Sequence, residues 1–178
     1  MPVLPLRYYP DPVLRQKAKE LDPLDPSLPA LVKDMFDTMY HAEGVGLAAN
    51  QIGLAVRLVV IDCSGGKDPA AKLVLINPVV LSLTAEVEES EGCLSFPGMN
   101  AMARRAERCR VRAFGLDGQP FEIESGDLLG KALQHEVDHL NGRLYIDHLT
   151  LAARASLEGK LKQMKKDALA GGRAVARA

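Results

Sequence analysis

The sequence predicts an α+β fold: antiparallel β-sheets packed around a central HExxH-bearing helix, with an N-terminal helix and a C-terminal helix. Three observations predict it. Apolar residues recur at helical spacing in two separate segments, 28–39 and 128–140. Between them lie short apolar or alternating runs closed by Gly, Pro, Asn and Asp. The resulting order is helix, several strands, helix, helix, without the strand–helix alternation of a parallel sheet.

Residues 1–24 are proline-rich and are expected to lie along the surface. Asp25 or Ser27 can cap the first helix, whose apolar stripe is Leu28, Leu31, Val32, Met35 and Met39 and whose end is expected near Glu43. GVGLAANQIG (44–53) is glycine-rich and shows neither helical nor strand periodicity. VRLVVID (56–62) reads as a buried strand, SGGKDPA (64–70) as a loop, and KLVLINPVVLSLT (72–84) as one or two strands broken at Asn77-Pro78. AEVEESEGCLSFPG (85–98) begins as an alternating strand and ends in a glycine/proline turn. RCRVRAFGLDGQPFEIES (108–125) predicts a hairpin, because Cys109, Val111 and Ala113 alternate with arginines and Leu116-Asp117-Gly118-Gln119 supplies the turn. Ser125 is the expected N-cap of the next helix, with Asp127 in its first turn. Leu128, Leu129, Ala132, Leu133, Val137 and Leu140 are its stripe and Asn141-Gly142 its stop. Residues 151–178 carry seven Lys/Arg against two acidic residues; Leu151, Leu157, Leu161 and Met164 predict a helix to about residue 169, followed by a frayed AGGRAVARA.

At 178 residues and 47% hydrophobic, the chain suffices for one domain with a normal core. A net charge of −1 gives no sign of a nucleic-acid binder, so specific DNA binding is not expected. No apolar run approaches the about 18 residues of a membrane span, and no secretory signal is visible. Three widely spaced cysteines do not make a disulfide framework. A reducing cytoplasm, with thiolates free to act as ligands, is the expected setting.

The chemistry concentrates in QHEVDHLNG, residues 134–142. On a helix, His135 and His139 stand one turn apart on one face, so their imidazoles can meet at a point. Glu136 lies about 100° round from His135. This is the pattern of two metal ligands and a general base. The stripe 128, 132, 135, 139 reads Leu, Ala, His, His. Two imidazoles thus point where the period asks for apolar groups, and leaving them unpartnered costs on the order of 1–3 kcal/mol each.

A hydrolytic centre needs a third ligand and an open position. The extended HExxHxxGxxH pattern fails, since Gly142 fits but Tyr145 stands in place of the last histidine. Glu158 lies in a lysine-rich helical segment that reads as a solvated face. Cys63, Cys93, Cys109, His41 and His148 remain. Cys109 and Cys63 read as core or core edge, and His41 and His148 as solvated. Cys93, in EGCLS at a strand end, stands apart from these without being singled out by composition.

Three blocks occur in order, GVGLAANQ (44–51), EGCLS (91–95) and QHEVDH (134–139). Together they resemble the three signature motifs of the peptide deformylases, over roughly residues 5–150. That resemblance implies removal of the formyl group from the N-terminal formyl-methionine of nascent polypeptides in bacteria or organelles. It implies Cys93, His135 and His139 as ligands of one divalent ion, Fe(2+) first, with Zn(2+), Ni(2+) or Co(2+) as substitutes. It implies Glu136 as general base and acid, and the Gln51 amide and Leu94 backbone N–H as oxyanion donors. Gly44, Val45 and Gly46 are then expected to meet the peptide, and Val45, Leu128 and Ala132 to line the methionine pocket. Glu91 is expected to pair with Arg105 and hold the EGCLS strand end, while Asp138 and Gln134 either assist or face solvent. Lys131 and Asn100 depart from residues common at those positions, which bears on substrate preference. Residues 1–150 form one catalytic metallohydrolase domain on this reading, and 151–178 is part of it or an appendage. Lys160, Lys162, Lys165 and Lys166 suit ribosomal RNA phosphates. The competing readings are an HExxH metallopeptidase of another class and a non-enzymatic protein with a structural metal.

Overall fold

Strand β2 (Leu58–Ile61) explains the arrangement of the whole molecule, because all four of its residues are buried. Val59 and Ile61 point into one apolar cluster with Leu133 and Leu140, while Leu58 and Val60 point into another with Val32 and Met39. The strand's period of two thus serves two layers. The computed structural model describes residues 3–171. It contains helices α1 (Leu28–His41), α2 (Asp127–Leu140) and α3 (Leu151–Leu169). The other strands are β1 (Gly46–Ala48), β3 (Leu73–Leu83), β4 (Glu86–Gly92), β5 (Asn100–Ala106), β6 (Cys109–Phe114) and β7 (Pro120–Ser125). A five-stranded sheet runs β1-β2-β3-β6-β7 and a two-stranded sheet pairs β4 with β5, every pair antiparallel. The two clusters put α1 and α2 on opposite faces of the larger sheet.

Several local expectations change. GVGLAANQIG forms β1 followed by a 3-10 turn, Ala49–Ile52, which is too short to show a period. Asn77-Pro78 does not break β3; Asn77 takes a left-handed φ of 53° and the pairing register to β6 shifts there. The Asn77 amide meanwhile exchanges two hydrogen bonds with the Leu21 backbone, at 2.9 and 2.8 Å. β5 is a strand that no alternation announced, since alanine and arginine dominate its sequence NAMARRA. Helix α1 ends at His41, two residues before Glu43, whose φ is 55°. Ser27 does stand at its N-cap, but its hydroxyl donates to Asp25 instead of capping. Ser125 is not the N-cap of α2: it closes β7 opposite Cys109, its hydroxyl donates to the Gly126 carbonyl, and Gly126 takes the cap position. Gly142 does stop α2, at φ 71°.

The proline-rich start is more than a surface wrap. Leu14 is fully buried in a cluster with Phe96, Tyr145, Leu157 and Leu161, which also anchors α3. Ala18 N–H donates to the Leu140 carbonyl at 2.8 Å, tying this segment to the end of α2. Residues 172–178 of the expected frayed tail lie outside the described residues. No helix among the described residues is long and apolar enough to cross a membrane.

Asp62, at the end of β2, locks the loop behind the sheet. Its buried carboxylate accepts from Tyr40 Oη at 2.5 Å, from Ser64 N–H at 2.7 Å, from Ser64 Oγ at 2.6 Å and from Gly66 N–H at 3.0 Å. Burial pushes its pKa up, and the bonds from Ser64, Tyr40 and Gly66 more than reverse this, to about 2. A carboxylate depressed on folding stabilises the fold above its ordinary pKa, and that contribution fades as pH falls through the folded value. Asp62→Asn is therefore expected to cost about 1.5–3 kcal/mol at pH 7. It is also expected to flatten the acid limb of stability between about pH 4 and pH 2. Urea titrations of both proteins across that range check this.

Candidate metal centre

Helix α2 turns one stripe toward a cleft between the two sheets. Leu128, Lys131, Ala132, His135 and Glu136 follow i, i+3, i+4, i+7 and i+8 and line a cavity of about 850 Å³. The same cavity is lined by Gly44, Val45 and Gly46, by Gln51, by Glu91 and Gly92 at the end of β4, and by Cys93 and Leu94 just beyond it. The three sequence blocks, far apart in the chain, thus meet in one place.

Cys93 Sγ lies 3.3 Å from His139 Nε2, and the two imidazole Nε2 atoms are 3.1 Å apart. All three ligand atoms fall within 4.8 Å of one another. His135 and His139 are buried, and Cys93 is half-buried at the cavity wall. Cys63 and Cys109 stay apart from this cluster, Cys109 in the sheet core. His41 is exposed, and Glu158 is exposed and paired with Lys162.

The donor set fits a divalent ion. One soft sulfur and two imidazoles form three sides of a tetrahedral site. His135 Nδ1 is engaged by Glu91 Oε1 at 2.5 Å, which leaves its Nε2 for a ligand. Glu136 sits beside the cluster with Oε2 buried and without a protein partner. Burial lifts the Glu136 carboxyl to about 7. Burial, with the charge of His135 beside it, holds His139 well below the ordinary histidine value. His135 is driven the other way: burial opposes its charge, but the Cys93 sulfur and Glu91 outweigh it.

Behind the ligands runs a charged lattice. Arg105 on β5 is 4% exposed and grips Glu91 through Nε at 2.8 Å and Nη2 at 2.7 Å. Its Nη1 reaches Asp138 Oδ2 at 2.5 Å. Burial pushes the Glu91 carboxyl up, but Arg105 and His135 bring it down to about 2. Asp138 therefore does not face solvent, as the sequence allowed; it also lies 2.8 Å from His148 Nε2, so His148 is not a solvated residue. Gln134 does not face solvent either. Its side chain accepts from Ala106 N–H at 2.8 Å and donates to Ala106 carbonyl at 2.9 Å, stitching α2 to β5.

Two contributors had no clear signal. Asn50 Nδ2 donates to the His139 carbonyl at 2.5 Å, and Ser95 Oγ lies 3.3 Å from Gln51 Nε2. Both are buried and belong to the blocks 44–51 and 91–95, and that membership was the one available clue. Gln51 itself is aimed: its Oε1 accepts from Ala48 N–H at 2.9 Å, so its amide N–H₂ faces Cys93 Sγ at 3.6 Å. Gly46 lies against the acid, since a Cβ there would stand 2.5 Å from Glu136 Oε1.

Comparison with known proteins bears on this arrangement. Residues 3–155 match the family described as Polypeptide deformylase. A peptide deformylase of Syntrophobacter fumaroxidans is 44% identical over 170 residues, covering 96% of this chain and 100% of the relative. One from Bartonella henselae is 46% identical over 168 residues, covering 94% and 96%. Among solved structures, a Legionella pneumophila peptide deformylase superposes with a TM-score of 0.84 at 45% identity, covering 93% of this chain and 96% of that one. A plant peptide deformylase gives 0.89 at 37% identity, covering 94% and 93%.

Proposed function

The chain belongs to the polypeptide deformylase family, and from that premise we propose that it hydrolyses the formyl group from the N-terminal formyl-methionine of newly synthesised polypeptides. One observation carries the reading. A cysteine sulfur, two imidazoles and a buried acid, drawn from separate parts of the chain, converge on a cleft wide enough for a peptide end.

Cys93, His135 and His139 would hold one divalent ion, and the family resemblance favours Fe(2+), with Zn(2+), Ni(2+) or Co(2+) able to substitute. Such an ion, when bound, would acidify a water and polarise the formyl oxygen. Glu136 takes the water's proton and returns it to the departing amine, a shuttle suited to an acid with a pKa about 7. Gln51 N–H₂ and Leu94 N–H donate to the oxygen on which charge develops. Glu91 fixes the His135 ring, and Arg105 fixes Glu91. Gly44, Val45 and Gly46 receive the peptide backbone along β1, and Val45, Leu128 and Ala132 take the methionine side chain.

Residues 1–150 act as the catalytic domain, and α3 packs on it through Leu157 and Leu161. A cytoplasmic setting is the reading we favour, with an organellar one as the alternative. The exposed Lys160, Lys162, Lys165 and Lys166 offer a contact for the ribosome. Salt-sensitive co-sedimentation with ribosomes is expected, and none at low salt would dismiss that contact.

The main test is an anaerobic assay of the iron-loaded protein on a formyl-methionyl tripeptide. Formate and an intact tripeptide amine are expected. Cleavage of internal bonds in the unformylated peptide would instead favour another class of HExxH peptidase. Gly46→Ala is expected to lower turnover about 10²-fold by displacing Glu136, with metal content unchanged. Turnover and metal stoichiometry measured on the same preparation check it.

A further inference from the structure

We infer that Lys131 gives the side-chain pocket a hydrogen-bond-donating wall, so that this protein accepts an oxidised first residue, formyl-methionine sulfoxide, as well as formyl-methionine. The inference rests on the function proposed above.

On β4, residues 87, 89 and 91 are partly buried and alternate with exposed Glu88 and Ser90. Glu91 reaches His135 and Glu89 reaches Lys131. Two residues along a strand advance about 6.6 Å, and four along a helix about 6 Å. The strand and the helix therefore meet in two successive rungs, one at the metal-site end of the cavity and one a turn further out. The outer rung is the Lys131–Glu89 ion pair, which crosses from α2 to β4.

Lys131 also belongs to the cavity-lining stripe. It stands at one edge of that stripe, one turn before His135 and three residues after Leu128. A methionine side chain that starts beside the reacting centre and runs outward over Ala132 toward Leu128 spans about one helical turn, 5.4 Å. In that pose the sulfur would lie along the stretch of wall that Lys131 also lines.

An ammonium carries three protons and no acceptor. Glu89 is the one side chain among the described residues that receives from it. The side chain is 26% exposed, so its other two protons are open to water or to a ligand in the cavity. A thioether is a weak acceptor and gains little from them. A sulfoxide presents a strongly polar oxygen at the sulfur position, and the change from one to the other is the ordinary oxidation of methionine. An apolar wall would reject that oxygen, because its water would be stripped without replacement. A wall with a spare donor replaces it.

The test uses the metal-loaded full-length protein and two formyl tripeptides that differ only in oxidation of the methionine sulfur. The readout is the ratio of kcat/KM on the sulfoxide to kcat/KM on the thioether, which is internal to each preparation and cancels any loss of folded protein. The wild-type ratio is expected within about tenfold of unity, and Lys131→Met is expected to lower it about tenfold, the scale of one charge-assisted hydrogen bond. Lys131→Arg, which keeps the donors, is expected to retain the wild-type ratio, and the change is expected in KM more than in kcat. An unchanged ratio in Lys131→Met, with turnover of the thioether peptide present, overturns the inference and leaves the proposed function standing. Absence of turnover on the thioether peptide in the wild type overturns both.

Discussion

Glu136→Gln lowers turnover of a formyl-methionyl peptide by about 10³-fold, within the range a positioned acid–base group supplies, while the protein keeps its metal and its fold. The variant is nearly isosteric, so the cavity shape and the gap to Gly46 are preserved. What is lost is the capacity to accept a proton. Glu136 is 5% exposed and its Oε2 has no protein partner, whereas the other carboxylates on the cavity wall are the exposed Glu43 and the paired Glu91. Glu91 cannot take over, because Arg105 and His135 hold it ionised and engaged. The loss is expected in kcat, with KM little changed, as for an interaction made in the transition state. Steady-state kinetics alongside metal analysis check it. Retained turnover would remove Glu136 from the proton path.

The second large effect is on stability. Arg105→Ala is expected to destabilise the fold by about 3–5 kcal/mol, the cost of leaving buried charge uncompensated. Arg105 holds two carboxylates at once, Glu91 and Asp138, from β4 and α2. Removing it sets two like charges facing each other where water is scarce. Burial also opposes the arginine's own charge, so the pairings are what keep its pKa raised. Arg105→Lys is expected to recover only part of the loss, because a point charge cannot fork to two acids. Denaturant unfolding of the metal-free proteins isolates this from metal binding, and metal affinity should weaken in parallel because Glu91 no longer orients His135. Stability unchanged within about 1 kcal/mol would show that the lattice around Arg105 is not holding the β4–β5 sheet to α2.

The sequence made the α2 stripe legible because its helical period was strong and its two histidines broke that period at positions meant for apolar groups. The hairpin of β6 and β7 was legible because arginines and glutamates alternate with core residues on both strands. β5 was not, because its inward residues Ala103 and Arg105 do not look like a core face. Arg105 is buried only because two acids distant in the chain meet it. The same cause hid the roles of Asp138, Gln134 and His148. Each is polar and becomes internal through a partner on another element, and no local pattern encodes such a partner. Cys93 was readable as a candidate third ligand through the resemblance of EGCLS to a family motif, and it does stand with His135 and His139 in one cluster. Its chain position alone left several cysteines and histidines open.

The most direct test of the account is X-ray absorption at the metal edge of the zinc-loaded protein, with Cys93→Ser beside it. The account predicts one sulfur and two imidazole nitrogens with a light, exchangeable fourth neighbour, and a sulfur-free shell in the variant. A wild-type shell without sulfur, or one closed by four protein ligands, would contradict it.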